Sequence, residues 1–232
     1  MRPALNVLWN LFLALVPVLL ASAIARGARG DLRHRGRVRW GLWVPLACVW
    51  LVFLPNSCYL LTEWRHYLET VTQSPLYTEA HQNGEGRLDF LVVTVFYLFY
   101  SGAGLLAFFL AVWPLDRLTR RHLGLAGAVL RPLIFPICAL GVYLGLMRGR
   151  FNSWDLLNPA RLHSLWGTVG QTFHRPLLLG MIVLFGAALW LFYVLFDIWM
   201  DGLAWRLAHR RAARAANQEK KEQEKETSHA AA

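Results

Sequence analysis

Five blocks of apolar residues alternate along the chain with shorter polar segments, at about 4–25, 40–61, 88–113, 125–147 and 177–200. Apolar residues fill each block instead of marking one stripe at helical period, so every face of such a helix needs apolar surroundings. A hydrocarbon layer about 30 Å thick takes roughly 20 residues of helix to cross. Backbone amides inside it must be satisfied within the segment, so each block reads as one continuous helix. The pattern predicts an all-α membrane protein, a five-helix transmembrane bundle spanning residues 1–200. No block carries a charge in its middle third, although Arg131, Pro132 and Pro136 crowd the first half of the fourth.

The polar segments predict further elements. Asn158-Pro159 reads as an N-cap with proline at the first helical position. Leu162, Leu165, Trp166, Val169 and Phe173 follow at helical spacing. The segment 159–174 is too polar to span, with Arg161, His163, Gln171 and His174, and is expected to lie as an external interfacial helix. In the segment 62–87, Ser74-Pro75 and Asn83-Gly84 mark turns. Residues 201–232 read as a basic cytoplasmic helix, Arg206 to Arg214, followed by a tail whose dense charge predicts disorder. No internal repeat is found.

Composition supports the bilayer reading, since 56% of the 232 residues are hydrophobic and only 16% are charged. Soluble domains run nearer a quarter charged. The net charge of +10 is mostly a topology signal. Counted in alternate connecting segments, lysine and arginine number 17 on one side and 7 on the other. Positive-inside bias then puts the N-terminus outside and the C-terminus in the cytoplasm of an inner (plasma) membrane. Nucleic-acid binding is not needed to explain the charge. A competing reading takes residues 1–25 as a signal peptide ending at Ala21-Ser22-Ala23 or Ala23-Ile24-Ala25. The run is long for an h-region, and cleavage would invert the charge count, so the first helix is kept. Cys48, Cys58 and Cys138 show no metal spacing and read as buried free thiols.

Candidate chemistry gathers at the expected outer face. In FLPNSCYLLTEWRHYL, Asn56, Tyr59, Glu63 and His66 are spaced +3, +4 and +3 and share one helix face. Pro55 removes a backbone donor and bends the helix there. A kinked helix with a polar stripe can line a cleft; alternatively, Asn56 repairs the backbone groups freed by Pro55, and Glu63 and His66 are simply hydrated. Glu63-x-x-His66 matches half of a carboxylate-bridged dinuclear site, but the second half is missing. Glu63, His66 and Asp89 could together hold a single ion with a coordination position left open, but no metal or cofactor is assigned. Asp89 is also suited to the N-terminal dipole of the third span. On that span Tyr97, Ser101 and Gly104 share a face. Gly141-x3-Gly145-x3-Gly149 predicts tight packing of the fourth span, against the second or third or against a second copy of the chain.

The stretch MRGRFNSWDLLNP then places Arg148 and Arg150 on the side where arginine is scarce. They are expected to pair with Glu63, Asp89 or Asp155, or to hold an anion such as a lipid phosphate. Asn152, Ser153 and Trp154 would add donors and an interfacial ring.

These segments resemble the signature of an uncharacterised bacterial multi-pass family, domain of unknown function 1361. The resemblance rests on Leu54-Pro55-Asn56-x-x-Tyr59-Leu60-Leu61-Thr62-Glu63-x-x-His66, and on Gly141-Val142-Tyr143-Leu144-Gly145 followed by Asn152-Ser153-Trp154-Asp155-Leu156. It covers about residues 5–200 and implies an inner-membrane protein, with no activity attached. The family pattern usually has arginine directly after the Tyr-x-Gly run, where this chain has Leu146. Which of Arg148 and Arg150 takes that place is open. The leading functional reading is a lipid- or partner-binding membrane component, anionic lipids included, with a charge-paired cleft at the outer face. The alternative is an outer-leaflet enzyme acting on a phosphate-bearing lipid or lipid-linked substrate, with Glu63 or His66 as base. A coupled transporter is weakest, because no ionisable residue lies near mid-membrane.

Overall fold

The computed structural model describes residues 2–36, 38–122, 124–146, 151, 153, 155 and 158–230. Among them every regular element is helical. The order is α1 (Arg2–Arg35), α2 (Trp40–Tyr59), a 3₁₀ turn (Leu60–Glu63), α3 (Trp64–Gln73), α4 (Leu76–Gln82), α5 (Gly84–His122), α6 (Gly124–Leu146), α7 (Pro159–Phe173) and α8 (Pro176–Ala230). Blocks 4–25, 88–113 and 177–200 fall within α1, α5 and α8, block 40–61 runs through α2 into the 3₁₀ turn, and block 125–147 lies in α6 as far as Leu146. Five candidate spans are long and apolar enough to cross a membrane: Leu5–His34, Trp40–Gln73, Gly84–His122, Val129–Leu146 and Pro176–Ala215. Their outward side chains are large and apolar, with Leu19, Phe99 and Leu133 all exposed. Contiguous apolar surface on this scale is covered by lipid or a partner in a stable protein.

The chain divides into two units, Met1–Trp190 and Leu191–Ala232. In the first, α1 packs on α2 and α5, and α2 packs on α5 and α6. Small residues bring these helices together. A Cβ at Gly104 of α5 would overlap Leu60 and the Ser57 carbonyl, and one at Gly141 of α6 would overlap the Pro55 ring. Ser57 Oγ donates to the Ala14 carbonyl of α1 at 3.0 Å. Ala14, Leu60, Tyr100 and Ala107 form a buried cluster between these helices. The Cys58 and Cys138 sulfurs lie 3.4 Å apart in the α2–α6 contact. Both are buried free thiols, whereas Cys48 is exposed.

The helices overrun the apolar blocks, so the segments between blocks are mostly helix. α1 continues to Arg35 and α5 to His122. The segment after α2 is almost all helical, because α3 and α4 fill it. α5 begins at Gly84, so Asp89 sits in its second turn and is exposed. The start is served instead by Asn83, whose Oδ1 accepts from the Gly86 N–H at 2.6 Å. The expected N-cap of α7 is present, with Asn158 Oδ1 accepting from the Ala160 N–H at 3.1 Å. α8 is helical to Ala230, further than the disordered tail expected from charge alone. Ala, Glu, Gln and Lys, the main residues there, are among the strongest helix formers.

Two ion clusters tie the helix ends remote from Glu63. Asp31, 6% exposed, accepts from Arg39 Nε at 2.9 Å and Trp43 Nε1 at 2.8 Å, joining the end of α1 to the start of α2. Asp116, 4% exposed, accepts from Arg120 and faces Arg131 Nε at 3.5 Å, joining α5 to α6. Arg131 therefore sits in α6 facing a buried carboxylate, where the sequence suggested only crowding.

Candidate functional site

The polar stripe of α2 survives beyond the helix because the chain tightens into a 3₁₀ turn at Leu60–Glu63 and continues as α3. Asn56, Tyr59, Glu63 and His66 consequently line one pocket of about 660 Å³. Opposite them stand Asn6 and Asn10 of α1, four residues apart, and Tyr97 and Tyr100 of α5. Gly141 and Gly145 of α6 form the close wall, with Phe151 and Ser153 beyond the helix end and Leu165 of α7 at the edge. The volume falls within the usual range for small-molecule sites.

The pocket floor is built by the proline bend. Asn56 Nδ2 donates to Ser153 Oγ at 3.0 Å, and Ser153 Oγ donates to the Val52 carbonyl at 3.1 Å. Val52 lies in the turn before Pro55, and a hydroxyl from a distant part of the chain adds a bond to its carbonyl. Asn56 supports that hydroxyl and does not repair the backbone itself. The Phe151 N–H bonds the Leu144 carbonyl at 3.3 Å, holding this segment against the end of α6.

At the rim, His66 Nδ1 lies 3.3 Å from Glu69 Oε2, and Glu69 Oε1 lies 3.3 Å from Arg65 Nε. These groups are about half exposed, so the pairing orients the imidazole more than it stabilises the fold. Tyr67 Oη and Thr94 Oγ1 share a hydrogen bond of 3.0 Å that fixes α3 on α5 beside His66.

Tyr100 is the exception to this satisfied network. It is 5% exposed and lines the pocket, yet its hydroxyl makes no hydrogen bond among the described residues. Asn10 stands near it across the pocket without reaching bonding geometry. A buried hydroxyl left in this state costs roughly 1–3 kcal/mol. A ligand with a polar atom at that point would recover it.

The structure thus brings Asn56, Tyr59, Glu63, His66 and Ser153 together, and adds Asn6, Asn10, Tyr97 and Tyr100. Asp89 does not line the pocket. Among the described residues no three His, Cys, Asp or Glu side chains could hold a metal ion, so Glu63, His66 and Asp89 do not form the single-ion set considered above. Asp155 lies 3.7 Å from Arg161 of α7. Arg148, Arg150, Asn152 and Trp154, like Gly149, lie outside the described residues. Asn6 and Asn10 carry a sequence signal of their own, two asparagines at helical spacing inside an apolar block.

Helix order, apolar exteriors and a polar pocket closed by small residues define an all-α protein with five membrane-length helices. The chain belongs to the family described as protein of unknown function (DUF1361), which it matches over residues 9–192. No curated protein matches it, and no solved structure does. The match takes in the pocket-lining residues other than Asn6 and Val7 of α1.

Proposed function

We propose that this is a multi-pass inner-membrane protein, N-terminus outside, that binds a lipid with a polar headgroup in the pocket between α1, α2, α5 and α6. The observation that carries the reading is the Tyr100 hydroxyl, buried without a hydrogen-bond partner among the described residues, on a side chain that lines a cavity of about 660 Å³. Around it, asparagine, tyrosine, serine and histidine offer both donors and acceptors, as a headgroup with hydroxyl, amine or phosphate groups requires. Apolar residues between them suit the first carbons of the acyl chains. The charge asymmetry, 17 lysines and arginines against 7 in alternate segments, supports an outer-leaflet position for this end of the bundle.

Enzymatic turnover of such a lipid is the second reading. It is favoured by Glu63 and His66 lining the same pocket, with His66 held by Glu69. Purified wild type, Glu63→Gln, His66→Ala and Tyr100→Phe proteins separate the two by mass spectrometry of retained lipids. Binding alone predicts the same lipid species in wild type and Glu63→Gln, with at least tenfold less in Tyr100→Phe. Turnover predicts a different, unprocessed species in Glu63→Gln. Equal lipid profiles in all four proteins, with reduced stability, would leave only a structural network and overturn both.

A further inference from the structure

We infer that the lipid headgroup is a saccharide whose outer end leaves the pocket along a groove on α3. The inference rests on the lipid reading above and narrows it. His66 and Tyr97 join the two spaces. Both line the pocket of about 660 Å³ and also a more open groove of about 400 Å³. The rest of the groove is lined by Glu69, Thr70, Gln73 and Ser74. With His66 these recur at helical spacing, so they share one face of α3 and its C-cap. The polar stripe that begins at Asn56 on α2 therefore continues to the end of α3.

Length and size argue for a large headgroup. From His66 to Gln73 the groove adds about 10 Å of α3 at helical rise to a pocket that already takes a headgroup. The headgroup layer of a phospholipid occupies only roughly 5–8 Å on each side of the hydrocarbon. The pocket volume alone is in the range that encloses drug-sized ligands, larger than a phosphate with one small alcohol.

The side chains on this track suit sugar hydroxyls, which donate and accept at once. Each space has a carboxylate to accept, Glu63 in the pocket and Glu69 in the groove. Like charge makes the same two groups poor company for a phosphate. Glu69 is held in place by Arg65 and His66, each at 3.3 Å. The amides of Asn10 and Asn56 in the pocket and of Gln73 in the groove both donate and accept. Thr70 Oγ1 donates to the His66 carbonyl at 2.7 Å, which leaves its lone pairs to accept. Tyr97 supplies the remaining element, a ring between the two spaces. It packs at 5.6 Å on Tyr67 and at 5.3 Å on Phe96, and Tyr67 is itself bonded to Thr94. The negative face of such a ring attracts the C–H face of a pyranose.

The test is thermal unfolding of the full chain in a polyoxyethylene detergent, which carries no sugar. The titrants are dioleoylglycerol bearing one glucose or two, dioleoyl phosphatidylglycerol and dioleoyl phosphatidylethanolamine. The diglucosyl lipid should raise the unfolding midpoint saturably, and both phospholipids should need at least tenfold higher concentrations. Thr70→Val/Gln73→Ala, on the exposed face of α3, should raise the half-saturating concentration of the diglucosyl lipid at least tenfold and leave that of the monoglucosyl lipid nearly unchanged. The control Gln82→Ala loses an amide outside the groove and should respond as wild type. Tyr100→Phe should weaken both glucosyl lipids. Phospholipids as effective as the glucosyl lipids, or equal responses of the groove variant and the control, would overturn the saccharide inference while Tyr100→Phe still reports the lipid site. No shift with any lipid in wild type, or no loss in Tyr100→Phe, would overturn the lipid reading and this inference with it.

Discussion

Tyr100 carries the account at the scale of single residues. Its hydroxyl is buried with no hydrogen-bond partner among the described residues, so removing it should affect the lipid-free and the lipid-loaded protein in opposite directions. In delipidated protein, Tyr100→Phe is expected to unfold at the same temperature as wild type or a few degrees higher, because an unsatisfied group costing roughly 1–3 kcal/mol disappears. In lipid-loaded protein the same change is expected to lower the midpoint, because the headgroup loses a partner. Thermal unfolding in both states checks the crossing of sign. The polar stripe Asn56, Tyr59, Glu63 and His66 was legible in the sequence because helical spacing is local. The bond from Asn56 to Ser153 was not, since it joins residues 97 apart in the chain. Asn6 and Asn10 fell between these cases: their spacing is local, but an apolar block hides two polar residues inside an otherwise uniform span.

Between helices, the contact of α2 with α6 decides whether the pocket keeps its shape. Gly141 and Gly145 belong to one small-residue register but are not equivalent. A Cβ at Gly141 would overlap the Pro55 ring, whereas one at Gly145 would meet the Tyr59 ring at 3.6 Å, an ordinary contact. Gly141→Ala is therefore expected to cost about 1–3 kcal/mol through overpacking, and Gly145→Ala less than about 0.5 kcal/mol. Unfolding of the two variants in the same detergent tests this, and equal losses would contradict the geometry. The glycine spacing itself announced a tight contact, but only coordinates show that the bend at Pro55 is what fills it. Element ends were the least legible feature. The apolar blocks mark where lipid contact stops, whereas hydrogen bonding continues α1 and α5 beyond them to Arg35 and His122.

Across the whole molecule, the two ends of the bundle differ in kind. One holds a polar pocket with unspent hydrogen-bonding capacity, and the other is fastened by buried carboxylates at Asp31 and Asp116. From the sequence, charge pairing is expected at the first end, because Arg148 and Arg150 stand out there against the topology. Asp31 and Asp116 are not legible as anchors in the sequence, because an isolated acid in a basic segment looks like a solvated charge until its burial is known. Asp116→Asn should destabilise by about 3–5 kcal/mol, since it removes the charge of a buried carboxylate that both Arg120 and Arg131 face. Arg120→Gln should cost less, because Asp116 still faces Arg131, and unfolding of both variants gives the order. Sidedness follows from the same asymmetry. In a cysteine-free background in whole cells, an impermeant maleimide is expected to label Gln82→Cys, and Arg211→Cys only after the membrane is opened. The reverse pattern would move the pocket to the inner leaflet.

The most direct measurement is headgroup photo-crosslinking. The protein is reconstituted in vesicles of phosphatidylethanolamine and phosphatidylglycerol that contain a trace of phospholipid with a diazirine in its headgroup, and the adducts are mapped by peptide mass spectrometry. Adducts on the peptides carrying Asn10 and Tyr100, lost in the Asn10→Ala/Tyr100→Phe protein, are the result the account predicts. Adducts confined to outward residues such as Phe12 and Phe99, and unchanged in that variant, would contradict it.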